Sequence, residues 1–131
     1  MAKPKAMQAA ETFYQHHLVV TTDRRAWERL CRLSLNLDEL YEHLIQPGTG
    51  GRTLHTTWKT GGYVVCIWID PDLYPATVSH RAGVIAHEAA HAARYILTAI
   101  GETARTDEIE PYLIGDITAA IWRMIHQETT R

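Results

Sequence analysis

Residues 85–95 read "IAHEAAHAARY". Alanine is the strongest helix former, so this run predicts the interior of a helix. Within it stand His87, Glu88 and His91, side chains that are costly to bury without partners. With His87 set at 0°, His91 falls at about 40°, Val84 at about 60° and Glu88 at about 100° around the helix axis. Ile85, Ala89, Ala93, Ile96, Leu97 and Ile100 fill the opposite arc and form one apolar face. Two histidines one turn apart have Cβ atoms about 6 Å from each other. That spacing lets both imidazoles converge on one zinc ion at about 2.0–2.1 Å per bond. Glu88 stands to the side, where it can reach a water at the metal without ligating the metal, the general-base position of an H-E-x-x-H helix. In that position its removal is expected to leave zinc content and thermal stability nearly unchanged. With eight histidines and nine glutamates in the chain, the pattern arises by chance about 0.03 times. The competing reading is a solvated helix face that happens to carry these residues.

The rest of the chain is ordinary globular material. Its 131 residues are 46% hydrophobic and 21% charged, which predicts one domain with a real core. A net charge of -2 argues against a dedicated nucleic-acid binder, although ten arginines against three lysines allow a local patch. No apolar run reaches the length of a membrane span. The start, "MAKPKAMQAAETF", is basic without an apolar stretch, so no signal peptide is expected. Cys31 and Cys66 lack metal or redox spacing and read as buried thiols of a reducing compartment.

Working outward, residues 1–12 are expected to form a flexible lead-in and residues 13–131 a single domain. "HHLVVTT" (16–22) reads as a strand, and Thr22 is expected to cap the helix "DRRAWERLCRL". "SLNLDELYEHLI" (34–45) predicts a further helical turn and "QPGTGGR" (46–52) a flexible loop. "TLHTTWK" (53–59) and "YVVCIWID" (63–70) flank Gly61 and Gly62, a hairpin signal, since both glycines accept positive φ. The second strand is apolar on both parities and is expected to be covered on both faces; the first is polar and belongs nearer an edge. Pro71 and Pro75 end the sheet. Thr77 or Ser79 is expected to cap the H-E-x-x-H helix, which runs to about Ile100 and stops at Gly101. A last helix is predicted from about Pro111, or slightly earlier, to Gln127.

A catalytic zinc needs a third protein ligand and one open position. Glu102, Asp107, Glu108 and Glu110 follow the helix stop. Glu108 and Glu110 differ by about 200° on a helix, so only one of them can face the histidines. The apolar stripe Leu113, Ile114, Ile117, Ile121, Met124 and Ile125 is headed better by Glu110.

"HEAAHAARYILTAIG" (87–101) followed by "EIEPYLIG" (108–115) resembles small phage- and prophage-encoded zinc metallopeptidases. In those proteins HEAxH precedes a Gly and then a Glu four residues before Tyr-Leu-x-Gly. The pattern is also similar to the wider gluzincin clan, HExxH plus a downstream Glu on a second helix. The specific likeness covers about 30 residues, 85–115. It implies zinc as cofactor, His87, His91 and Glu108 as metal ligands, and Glu88 as general base. It also implies an α+β, zincin-like minimal domain. A small, mostly antiparallel sheet would pack on the HExxH helix, and the C-terminal helix would supply the third ligand. Many gluzincins carry an Asp four residues after the ligand Glu; here that position is Tyr112, with Asp116 one turn further on.

Peptide hydrolysis also calls for an oxyanion stabiliser. Tyr112, one turn from Glu108, is the first candidate, with Tyr95 and Arg94 next. His80, two turns before His87, is expected at the mouth of the cleft. His16, His17, His43, His55 and His126 lack partners at ligand spacing and read as structural or solvated. The expected activity is zinc-dependent hydrolysis of a peptide or protein substrate, in the bacterial host cytoplasm or associated with a virion. In the clan it resembles, an edge strand pairs with extended substrate, a role that falls to "TLHTTWK". The first alternative is a phage structural or assembly protein with a zinc-stabilised fold and no turnover, since the chain is barely larger than the site needs. The second is an interaction protein without metal. Neither nucleic acid nor membrane is expected as a partner.

Overall fold

The computed structural model describes residues 8–34, 50–57, 61–73, 77–101 and 109–126. In chain order these form β1 (Gln8–Phe13), β2 (His16–Thr21), α1 (Arg24–Ser34), β3 (Gly51–Thr57), β4 (Tyr63–Ile69), a 3₁₀ turn at Pro71–Leu73, α2 (Val78–Ala99) and α3 (Ile109–His126). The fold is α+β: a mixed four-stranded sheet of order β1-β2-β4-β3 and, among the described residues, three α-helices. The helical turn expected within 34–45, Trp58 and Glu108 lie outside the described residues.

The two central strands are the Val/Ile-rich ones. β2 and β4 run parallel, while β1 and β3 flank them antiparallel, so the sheet is mixed and two of its three pairings are antiparallel. A parallel pair needs a crossover, and α1 stands in that connection. Alternation along the strands then sorts two cores. Leu18, Val20, Val65, Ile67 and Ile69 meet α2 and α3 on one face. Val19, Leu54, Val64, Cys66 and Trp68 meet Trp27, Leu30 and Cys31 of α1 on the other. The sheet is thus covered on both sides, as the double-parity apolar pattern of β4 predicts. β3 is an edge strand, as its polarity predicts.

Three sequence expectations need correction. Residues 8–12 are not lead-in: with Phe13 they form β1, paired to β2 across a turn in which Tyr14 and Gln15 both take positive φ, 47° and 66°. Such turns usually announce themselves by Gly or Asn, and neither is present here. The cap of α1 is Asp23, whose Oδ1 accepts from the backbone N–H of Arg25 at 2.8 Å; Thr21 Oγ1, not Thr22, accepts from Asp23 N–H. β3 begins at Gly51, inside the segment read as loop.

α2 follows its reading closely. Thr77 caps it, Oγ1 accepting from His80 N–H at 3.2 Å, and Gly101 terminates it at φ 79°. Ile85, Ala89, Ala92, Ala93, Ile96 and Leu97 are buried, and the alanines let the sheet and α3 approach closely. α3 answers with Leu113, Ile117, Ala120, Ile121 and Met124. Ile100, expected on the apolar face, is exposed because the helix has already ended at Ala99. No helix among the described residues is long and apolar enough to cross a membrane.

Candidate metal centre

α2 presents His87 and His91 on its outer side, both exposed, with Nε2 atoms 3.1 Å apart. The rings meet edge to face, centroids 4.8 Å apart and planes at 79°. Two nitrogens bound to one tetrahedral zinc at about 2.0–2.1 Å stand about 3.3–3.4 Å apart. The pair therefore fits zinc with a shift of a few tenths of an ångström. The same separation also suits a hydrogen bond from one neutral imidazole to the other. Among the described residues no group of three His, Cys, Asp or Glu is assembled; the proposed third donor, Glu108, lies outside them.

Glu88 is not the solvated flank that helix angles alone suggest. It is 5% exposed, because its side of α2 abuts the edge strand. Thr53 on β3 donates its hydroxyl to Glu88 Oε1 at 2.8 Å. The Thr53 oxygen also lies 3.3 Å from the Glu88 carbonyl, but one hydroxyl has one proton, and the shorter, charged acceptor takes it. Beneath the carboxylate sits Gly51. A Cβ there would stand 2.8 Å from Glu88 Cγ and 3.0 Å from the Trp68 carbonyl oxygen. Gly51→Ala is therefore expected to displace Glu88 or the strand and to destabilise the fold by about 1–3 kcal/mol, read as a lowered Tm.

Gly51, Arg52, Thr53, His87, Glu88, His91 and Tyr95 line one cavity of about 300 Å³. A neighbouring groove of about 580 Å³ continues along α2 past Val84, Gly83 and His80 to Gly50. His80 thus lines the approach to the histidine pair, as its spacing predicts. Tyr112 is 69% exposed on α3 and is not among the described residues lining the cavity, whereas Tyr95 is. Arg94, three residues after His91, lies 3.4 Å from Glu110 (Nε to Oε1), which ties the start of α3 to the histidine-bearing side of α2.

The remaining titratable groups have structural surroundings. Cys31 and Cys66 are buried and free, and burial pushes their thiols up to about 11 and about 12. His126 Nδ1 contacts the Trp122 carbonyl at 2.8 Å, and its ring stacks on that indole. His55 stacks between His16 and Tyr63 on the sheet and Tyr95 on α2. Burial first, and then the nearby His16, lowers its pKa from the ordinary 6.5. The unfolded chain therefore protonates first. This contribution to stability is complete above about pH 6.5 and is lost as pH falls toward the folded value. His55→Phe is expected to flatten the fall of Tm between about pH 7 and 5.

Comparison with protein-family models, curated proteins and solved structures returned no match. Site residues that sequence reading passed over are Gly51 and Thr53. Their signal was strand parity: Gly51, Thr53 and His55 alternate onto the α2 side of β3, a pattern that becomes readable only once β3 is known to lie beside α2.

Proposed function

We propose that this chain is a zinc-dependent metallopeptidase of the gluzincin type, built on a minimal zincin-like domain. The observation that carries the reading is the 3.1 Å His87–His91 pair sharing one cavity with a buried, Thr53-anchored Glu88. His87 and His91 would hold the metal with one carboxylate. Bound zinc supplies Lewis acidity, acidifying water and polarising a carbonyl. Glu88 takes the water's proton; Thr53 fixes one carboxylate oxygen and so aims the other at the cavity. β3, at the edge of the sheet formed by the described residues, suits an extended peptide or protein substrate. The proposed setting is the bacterial host cytoplasm or a virion.

Glu108 is proposed as the third ligand on the resemblance of "EIEPYLIG" to the small phage metallopeptidases; Glu110, whose Oε1 lies 3.4 Å from Arg94 Nε, is the alternative. Glu108→Gln is expected to weaken zinc binding by at least about a hundredfold, and Glu110→Gln by less. Competition with a zinc chelator measures both; the reverse order would show that Glu110 closes the site. The overall test is elemental analysis of the purified protein together with hydrolysis of a quenched peptide library. Metal without hydrolysis favours the alternative, a phage structural or assembly protein stabilised by zinc. The burial of Glu88 supports that alternative too, since a carboxylate bonded to Thr53 also cross-links α2 to the sheet.

A further inference from the structure

Among the described residues, Tyr95 is the tyrosine that shares the cavity with His87, Glu88 and His91. It lies one turn beyond His91, at about 80° on the wheel that puts His91 at about 40° and Glu88 at about 100°. Side chains on a helix lean toward its N-terminus, so Tyr95 leans back over the turn that carries His91. Its ring stacks on His55 at 5.5 Å between centroids and 8° between planes. Its phenol oxygen has no hydrogen-bond partner among the described residues, although a phenolic O–H is a competent donor.

The ring is held from behind. His55 of β3 stacks on Tyr63 of β4 at 5.7 Å and on His16 of β2 at 5.3 Å, and His16 stacks on Tyr63 at 4.8 Å. His16 is fully buried and anchored by Nδ1 to the Tyr14 carbonyl at 3.0 Å. Three strands thus contribute one aromatic ladder that ends at the cavity wall. Such a support restricts the ring of Tyr95 while leaving its hydroxyl without a partner among the described residues.

We infer that Tyr95, rather than Tyr112, donates the hydrogen bond that stabilises the oxygen of the scissile carbonyl, and that His55 is its positioning residue. The inference rests on the peptidase reading above. Water oxygen adds to the carbonyl carbon, and the π electrons move onto the carbonyl oxygen, which accepts from the Tyr95 hydroxyl. Glu88 receives the water's proton and passes it to the amide nitrogen as the C–N bond breaks. Tyr95 keeps its proton throughout.

The test uses zinc-loaded full-length protein and three variants, Tyr95→Phe, His55→Ala and His55→Phe. Zinc stoichiometry is measured first, then calorimetric binding of a panel of phosphinic dipeptides, whose tetrahedral oxyanions imitate the reacting centre, then kcat and KM. Tyr95→Phe keeps the ring and is expected to retain zinc and Tm. It is expected to bind the phosphinic peptides about a hundredfold more weakly and to lose about 10²–10³ in kcat with KM little changed, the usual effect of removing one such donor. His55→Ala is expected to lower kcat, and His55→Phe, which can still stack, to restore it. Zinc uptake with unaltered phosphinic-peptide binding in Tyr95→Phe would overturn the inference and leave the peptidase reading standing. A wild-type chain that takes up no zinc would overturn that reading and the inference with it.

Discussion

Zinc titrated into the metal-free protein is expected to saturate at one equivalent per chain and to raise Tm, and His87→Ala or His91→Ala to remove both effects. The two Nε2 atoms already stand within a few tenths of an ångström of the separation that tetrahedral zinc imposes. Little of the binding energy is then spent on rearrangement. At a free zinc concentration a thousand times Kd, linkage stabilises the fold by about 4 kcal/mol. Loss of a direct ligand is expected to weaken binding by at least about a hundredfold, since even an outer-shell partner is worth about 10–100-fold. Both histidines are exposed, so the metal-free variants are expected to melt within about 0.5 kcal/mol of the metal-free parent. That comparison separates a lost ligand from a lost fold. A parent protein that binds no transition metal would end the metallopeptidase proposal.

Glu88→Gln is expected to leave zinc content and Tm near the parent values and to lower hydrolysis by about 10²–10⁴, the contribution of a positioned general base. The amide is nearly isosteric, and its oxygen still accepts from Thr53, so the change isolates the proton-transfer role. Glu88→Ala is a different experiment. Helix angles alone led to the expectation that it would be silent for stability, but the side chain is buried and bonded to Thr53. Its removal leaves a void and takes away the 2.8 Å acceptor of Thr53, leaving that hydroxyl only the longer 3.3 Å contact with the backbone carbonyl of residue 88, at a cost of about 1–3 kcal/mol. Undiminished hydrolysis in Glu88→Gln would sink the assignment of the base. If Glu88→Gln preserves the protein's biological role while His87→Ala destroys it, the metal is a structural staple and the alternative reading stands.

Much of this molecule is legible locally. The parity of β4, the polarity of β3, the Thr77 cap and the Gly101 stop each depend on a few neighbouring residues, and each lies where its pattern places it. What was not legible involves weak or absent local signals. The β1–β2 turn is made by Tyr14 and Gln15, residues with no turn signature, so β1 passed for a lead-in. Asp23 and Thr22 are both competent caps, and the difference between them is one residue of chain direction.

The sequence by itself determined that His87 and His91 share a helix face, with Ile85, Ala89, Ala93, Ile96 and Leu97 opposed to it. The angle between residues four apart on a helix is a local property that no packing can alter. Only the tertiary structure decided the surroundings of Glu88. Its partner Thr53 lies 35 residues away, and Gly51 leaves it room only because β3 runs beside α2. The aromatic ladder has the same origin: His16, His55, Tyr63 and Tyr95 come from three strands and a helix, and no spacing along the chain relates them. Strand order and pairing direction bring such residues together, and those depend on how the whole apolar pattern is buried at once.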